Sequence, residues 1–255
     1  MSYETDKPAG MRLVIFDVDG TLTDSMAVDA WCFLRTFVEL CGITNLDADW
    51  SRYKNVTDAG VFQEVILSRL GRYPSLNEKI GFRDHMVKLL RAEAQNAPMR
   101  CVAGAAQFLA WLEGSGQFRV AIATGCWSES ARVKMASAGM HYDDYPSASA
   151  DDALERESII RLAIQRAVLR IGAIDGAVYI GDGIWDARAC RDLGLPFIGV
   201  GTGRAAEKLL DEGAISVVKN FLPVSDVMKA IDKATTALPA RLTVSSMDSD
   251  IWNRK

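Results

Sequence analysis

Histidine is nearly absent: the 255 residues hold only His85 and His141. A histidine-rich zinc site and an imidazole-based catalytic triad are both poorly supplied. Cysteine is equally uninformative as chemistry. Cys32, Cys41, Cys101, Cys126 and Cys190 are odd in number and lack paired zinc spacing, which fits reduced, mostly packed thiols. No apolar run approaches the ~18 residues needed to span a bilayer. The first residues carry Glu4 and Asp6 and no hydrophobic segment of a signal peptide, so a cytoplasmic location is expected. Positive charge is not in excess either, the formal net charge being -4, so neither nucleic acid nor an anionic membrane is an expected partner. Small solutes remain, with the chain acting as a monomer or homodimer.

What the chain does have is apolar content, 49% of its residues, ample for a core. Its length suits one main domain with a smaller one inserted. Residues 13–16, Leu-Val-Ile-Phe, suit a buried parallel strand, and they end abruptly in Asp17-Val-Asp-Gly-Thr-Leu-Thr-Asp. Asp17 and Asp19 are two apart, so they share a face just past the strand's carboxyl end, where open α/β sheets bind ligands. Two carboxylates held close repel, and a cation, a shared proton or a reacting group must offset that. Aspartates that merely cap the next helix are the alternative for an isolated pair.

Downstream the pattern changes twice. Residues 27–96 read as three helices, closed in turn by Gly42, by Gly71 and before Pro98, with Thr57 or Asp58 able to cap the second. From residue 99 helices and strands alternate, with strands expected at 118–123, weakly at 145–148, and at 177–180, 196–200 and 215–218. This alternation argues an α/β fold: a doubly wound parallel sheet, a Rossmann-like core, with an inserted all-helical cap. The expected division is 10–24 and 98–234 for the core, 25–97 for the cap, and 235–255 for an irregular C-terminal tail.

Further polar clusters fall at expected strand ends. Thr124 and Gly125 follow the strand at 118–123 and precede a helix, offering a hydroxyl and backbone N–H groups to an anion. Gly181-Asp-Gly-Ile-Trp-Asp186 follows the strand at 177–180, and Asp182 and Asp186 would add hard oxygen ligands suited to Mg²⁺. Arg156 opens the intervening helix. Each of these taken singly also reads as a helix cap or a solvated charge. Gly201-Thr-Gly-Arg-Ala-Ala206 formally matches a dinucleotide fingerprint, which would make the chain an NAD-binding oxidoreductase. It comes late among the strands, however, and no acidic residue ends the next one.

Asp17-x-Asp19, Thr124, Arg156 and Asp182/Asp186, in this order, resemble the haloacid dehalogenase superfamily of phosphatases and phosphomutases, over residues 13 to about 218. The resemblance implies an Mg²⁺-dependent phosphohydrolase acting on a small phosphate monoester. Asp17 would be the nucleophile that becomes an aspartyl-phosphate, and Asp19 the general acid and base. Asp17, Asp182, Asp186 and the backbone carbonyl of Asp19 would hold the metal; Thr124, Gly125 and Arg156 would bind phosphoryl oxygens. Asp19 favours phosphoryl transfer over carbon–halogen cleavage. One departure is Arg156, where relatives commonly carry lysine; no lysine lies between Lys134 and Lys208. Lys54 and Asn55, with Thr57 and Asp58, form a polar patch that resembles the cap loop reading the leaving group, the alternative being a Thr57 cap beside a solvated Lys54. A phosphomutase of the beta-phosphoglucomutase type would share every catalytic residue and is the alternative function.

Overall fold

The computed structural model describes residues 11–235. Glu4, Asp6 and all of the expected tail beyond Thr235 lie outside them. Strand β1 (Arg12–Phe16) pairs in parallel with both β4 (Phe118–Ala123) and β6 (Gly176–Gly181), placing it at the centre of a sheet. β5 (Ser147–Ala148) extends that sheet on one side, β7 (Phe197–Val200) and β8 (Ser216–Val218) on the other, in the order β5-β4-β1-β6-β7-β8. Every pairing is parallel, so both faces must be covered, and the strands are apolar on both.

Alternation along the strands sorts side chains into two cores. Val14, Phe16, Val120, Ile122, Val178 and Ile180 face helices α4 (Ala105–Gly114), α5 (Ser128–Ser137) and α9 (Val224–Thr235). Leu13, Ile15, Ala121, Ala123, Ala177 and Tyr179 face α6 (Arg156–Ile171), α7 (Ile184–Leu193) and α8 (Gly203–Asp211). The period of two is that of the pleat. From β1 the chain moves toward β4 and β5, whereas from β6 it moves toward β7 and β8. The crevice of this doubly wound sheet therefore opens between the carboxyl ends of β1 and β6.

Between β1 and the rest of the sheet lie α1 (Met26–Thr36), α2 (Asp58–Leu70) and α3 (Leu76–Asn96). Local signals set their ends. Gly42 and Gly71 adopt left-handed backbone at φ 65° and 68°, the Thr57 side chain accepts from the Gly60 N–H, and Ser75 with Glu78 forms a reciprocal cap. A π-helical turn at Phe37–Cys41 and a single 3₁₀ turn at Trp50–Arg52 are not foreseen from periodicity. Nor is the antiparallel pair β2 (Thr23–Asp24) with β3 (Arg100–Cys101), which ties together the two chain segments entering and leaving this insert.

The insert carries its own core, and that core continues into the sheet domain. Phe82 is 1% exposed, its ring 4.5 Å from those of Phe37 and Phe62 and 5.9 Å from Trp127, which immediately precedes α5. Burial on this scale makes Phe82 a principal contact between insert and core. Phe82→Ala is expected to lower the unfolding free energy by about 3–5 kcal/mol, measured by urea denaturation.

Candidate active site

Asp17 follows β1 directly, and its N–H donates to the Ile180 carbonyl at 3.0 Å, which anchors it beside the end of β6. Asp182 follows β6 by the same logic. Gly20 makes their approach workable: it adopts φ 74°, and a Cβ there would lie 2.2 Å from Asp182 Oδ2. Asp186 enters from the first turn of α7 and is fully buried. Its Oδ2 accepts from the Gly183 N–H at 3.3 Å, while the Tyr179 hydroxyl lies 3.2 Å from its Oδ1. Asp17, Asp182 and Asp186 each bring one carboxylate oxygen within 4.8 Å of the others. Three hard oxygen donors on this scale fit a divalent cation such as Mg²⁺.

Burial and mutual repulsion raise these carboxyls, and Arg156 offsets the rise only in part. Burial, then Asp186, raises the Asp17 carboxyl to about 7 despite the lowering effect of Arg156. Burial and Asp17 push Asp182 well above the usual carboxylate range, and burial raises Asp186. Arg156 is the cation on this side of the site, and it is buried too. Its Nη1 lies 3.4 Å from Asp17 Oδ1, its Nε 3.2 Å from Asp186 Oδ1, and its Nη2 donates to the Val56 carbonyl at 3.3 Å. Burial opposes its charge, but Asp186 and Asp17 outweigh that and hold its pKa above normal. Gly125 gives the guanidinium room, since a Cβ there would come within 2.7 Å of Nη2.

Asp17, Asp19, Thr124, Gly125, Arg156 and Asp182 line one pocket, together with Met26, Phe33, Trp50 and Val61 from the insert. The strand ends thus bring these residues into one place, with Asp186 directly behind. Thr124 is buried, its Oγ1 accepting from the Cys126 N–H at 3.3 Å. Burial pushes the Cys126 thiol far up, so it is no thiolate nucleophile.

Lys54 and Asn55 are not brought to the pocket wall. Lys54 is exposed, and its backbone N–H donates to Glu64. Their neighbours tie the insert to the core instead: the Thr57 hydroxyl donates to the Leu154 carbonyl at 2.9 Å, the Asp58 N–H to the Gly125 carbonyl at 2.7 Å, and Asp58 Oδ2 accepts from the Trp127 N–H at 2.9 Å. His85 pairs with Glu39 at 2.6 Å, away from the pocket. The Gly201–Ala206 fingerprint follows β7, beyond β6, and is not part of the pocket. Lys134 is the site residue that sequence reasoning overlooks. Fully buried in α5, it donates to Asp19 Oδ2 at 2.7 Å and pairs with Asp29 of α1.

The family described as haloacid dehalogenase-like hydrolase matches residues 11–194. The chain belongs to that family. Solved structures agree on the fold of this haloacid dehalogenase-like hydrolase. A hydrolase from Pseudomonas syringae superposes with a TM-score of 0.68 at 20% identity, covering 87% of this chain and 99% of its own. CbbY from Rhodobacter sphaeroides, in complex with phosphate, gives 0.66 at 20% identity over 84% and 96%. A predicted phosphoglycolate phosphatase from Haemophilus somnus gives 0.59 at 14% over 86% and 98%. No curated protein matches the sequence. Among the described residues no helix is long and apolar enough to cross a membrane.

Raised carboxylate pKa values set the pH dependence of stability. The Asp17 carboxyl titrates near 3.8 when unperturbed and at about 7 here, so between those values the folded chain holds a proton that the unfolded chain releases. Stability from this group is complete below about pH 4 and is lost as pH rises through 7. In chelator the melting temperature is therefore expected to fall from pH 5 to pH 8, and Asp17→Asn to flatten that fall, in parallel thermal scans.

Proposed function

We propose that the chain is an Mg²⁺-dependent phosphohydrolase that cleaves a small phosphate monoester through an aspartyl-phosphate on Asp17. The observation that carries this reading is the trio of buried Asp17 and Asp186 with half-buried Asp182, meeting Arg156 at the same strand ends as Asp19. Family membership supports phosphoryl transfer as the chemistry.

Asp17, Asp182 and Asp186, with the Asp19 carbonyl, would hold Mg²⁺, which when bound offsets their repulsion, keeps Asp17 ionised and neutralises charge on the phosphoryl group. Arg156, Thr124 and the Gly125 N–H grip the remaining phosphoryl oxygens. A carboxylate oxygen of Asp17 then attacks phosphorus. The ester P–O bond breaks, its electron pair goes to the leaving oxygen, and Asp19 supplies the proton. In the second step Asp19 takes a proton from water, the water oxygen bonds to phosphorus, and the bond to Asp17 breaks, releasing inorganic phosphate and restoring both aspartates.

Arg156 suits the grip and no more than the grip, because guanidinium cannot surrender its proton. The insert shapes the other half of the pocket with Met26, Phe33, Trp50 and Val61, a partly apolar wall on an open cleft that fits a small leaving group.

Inorganic phosphate release from a panel of small esters, including sugar phosphates, phosphoglycolate and nucleoside monophosphates, tests the reading. With Mg²⁺ the native protein is expected to release phosphate; chelator or Asp17→Asn should reduce release by at least about 10³-fold. Absence of release from every ester by folded, Mg²⁺-supplied protein would overturn hydrolysis, and interconversion of sugar phosphates under a bisphosphate activator would replace it with a mutase.

A further inference from the structure

Lys134 has no role in the chemistry described above, yet it is the only fully buried lysine among the described residues. An ammonium group is rarely taken out of water unless it is paired and hydrogen-bonded. Here it has two carboxylate partners from different parts of the chain: Asp19 of the loop after β1, at 2.7 Å, and Asp29 of the first insert helix, α1. Both carboxylates line the pocket.

The second oxygen of Asp19 is also held. Ser25 donates its hydroxyl to Asp19 Oδ1 at 2.5 Å, and the Thr23 hydroxyl stands 2.6 Å behind Ser25. Ser25 precedes α1 at the position where a serine hydroxyl ordinarily accepts from its own helix, and it makes no such bond. Asp29, in the first turn of the same helix, is likewise turned to Lys134. Two groups that would serve to start α1 are thus both engaged around Asp19. Gripped at Oδ1 by Ser25 and at Oδ2 by Lys134, the Asp19 carboxylate has its plane fixed relative to the pocket.

We propose that Lys134 is a positioning residue, holding the acid–base carboxylate of Asp19 in its working orientation and fastening it, through Asp29, to the insert that lines the other half of the pocket. The proposal rests on the phosphohydrolase reading, in which Asp19 protonates the leaving oxygen. Orientation of that carboxylate matters in proportion to how much the leaving group needs a proton. A p-nitrophenolate departs without one, whereas an alkoxide does not.

The test compares kcat/KM for p-nitrophenyl phosphate with that for the best alkyl phosphate, in native protein and in Lys134→Met, Lys134→Arg and Asp29→Asn. Since kcat/KM reports the steps up to phosphoryl transfer onto Asp17, breakdown of the aspartyl-phosphate does not enter. Lys134→Met is expected to lose at least about tenfold more on the alkyl ester than on the aryl ester. Asp29→Asn should shift the ratio in the same direction by less, and Lys134→Arg should recover part of it. If Lys134→Met does not fold, the double variant Lys134→Met/Asp29→Asn, which removes one of the two carboxylates left uncompensated, is read in its place; if neither folds, the Asp29→Asn ratio decides. Equal losses on both esters, or no loss, would overturn the positioning role and leave Lys134 a structural ion pair. Native protein inactive on both esters would instead overturn the phosphohydrolase reading on which the proposal stands.

Discussion

Repulsion between buried carboxylates is the constraint around which the molecule is arranged. Asp17, Asp182 and Asp186 meet behind the sheet crevice, and Asp19, Asp29 and Asp58 follow around the pocket wall. Burial raises Asp17, Asp29, Asp58, Asp182 and Asp186 alike, Asp29 to about 6. Removing such groups from water is unfavourable unless something compensates, so a cluster of this kind is hard to explain as a device for stability. It is readily explained as a socket whose ligands bring positive charge. The apolar alternation of β1, β4 and β6 stiffens the frame that holds the socket together against that repulsion.

The insert is fastened to this frame at its edges, where polar contacts and packing coincide. Asp58 and Thr57, at the start of α2, bond to backbone on either side of the pocket, at Gly125, Trp127 and Leu154. Beside them Trp127 inserts its ring against Phe33 and Phe82. The Trp127 N–H and the Trp127 ring therefore report to the same insert by two different interactions. A polar residue at the head of α2 does two jobs at once: it ends a loop, and it ties the insert to Gly125 and Trp127 beside the pocket.

Much of this was legible in the sequence because it is written locally. Asp17, Asp19 and Asp182 each follow an apolar run of strand length, and strand ends in an alternating α/β chain converge on one edge, so short motifs become a site without any contact information. Strand 118–123 coincides with β4, and the helix stops at Gly42 and Gly71 coincide with left-handed turns. What was not legible depends on which way a helix faces. Lys54 and Asn55 lie in a polar patch next to residues that do face the core, and sequence spacing does not show that the chain turns outward before Thr57. Lys134 fails for the opposite reason. Helix α5 is short and largely polar, so Lys134 reads as one more solvated charge; but α3 packs on α5, and Lys134 is fully buried between Asp19 after β1 and Asp29 of α1. A period of 3.6 locates an apolar stripe and is silent about a lysine folded into a second interface.

The two buried cations then serve different carboxylates. Arg156 is planar and permanently charged, and it contacts Asp17 and Asp186. Lys134 is a compact ammonium; burial would weaken its charge, but Asp19 and Asp29 beside it more than restore it. A lysine in place of Arg156 could not span Asp17, Asp186 and the Val56 carbonyl at once, whereas a guanidinium in place of Lys134 keeps the charge between Asp19 and Asp29 but needs room for a planar fork, so it replaces the ammonium only in part. The shape of each cation thus follows the oxygens around it, Asp17, Asp186 and the Val56 carbonyl for the planar Arg156, Asp19 and Asp29 for the compact Lys134.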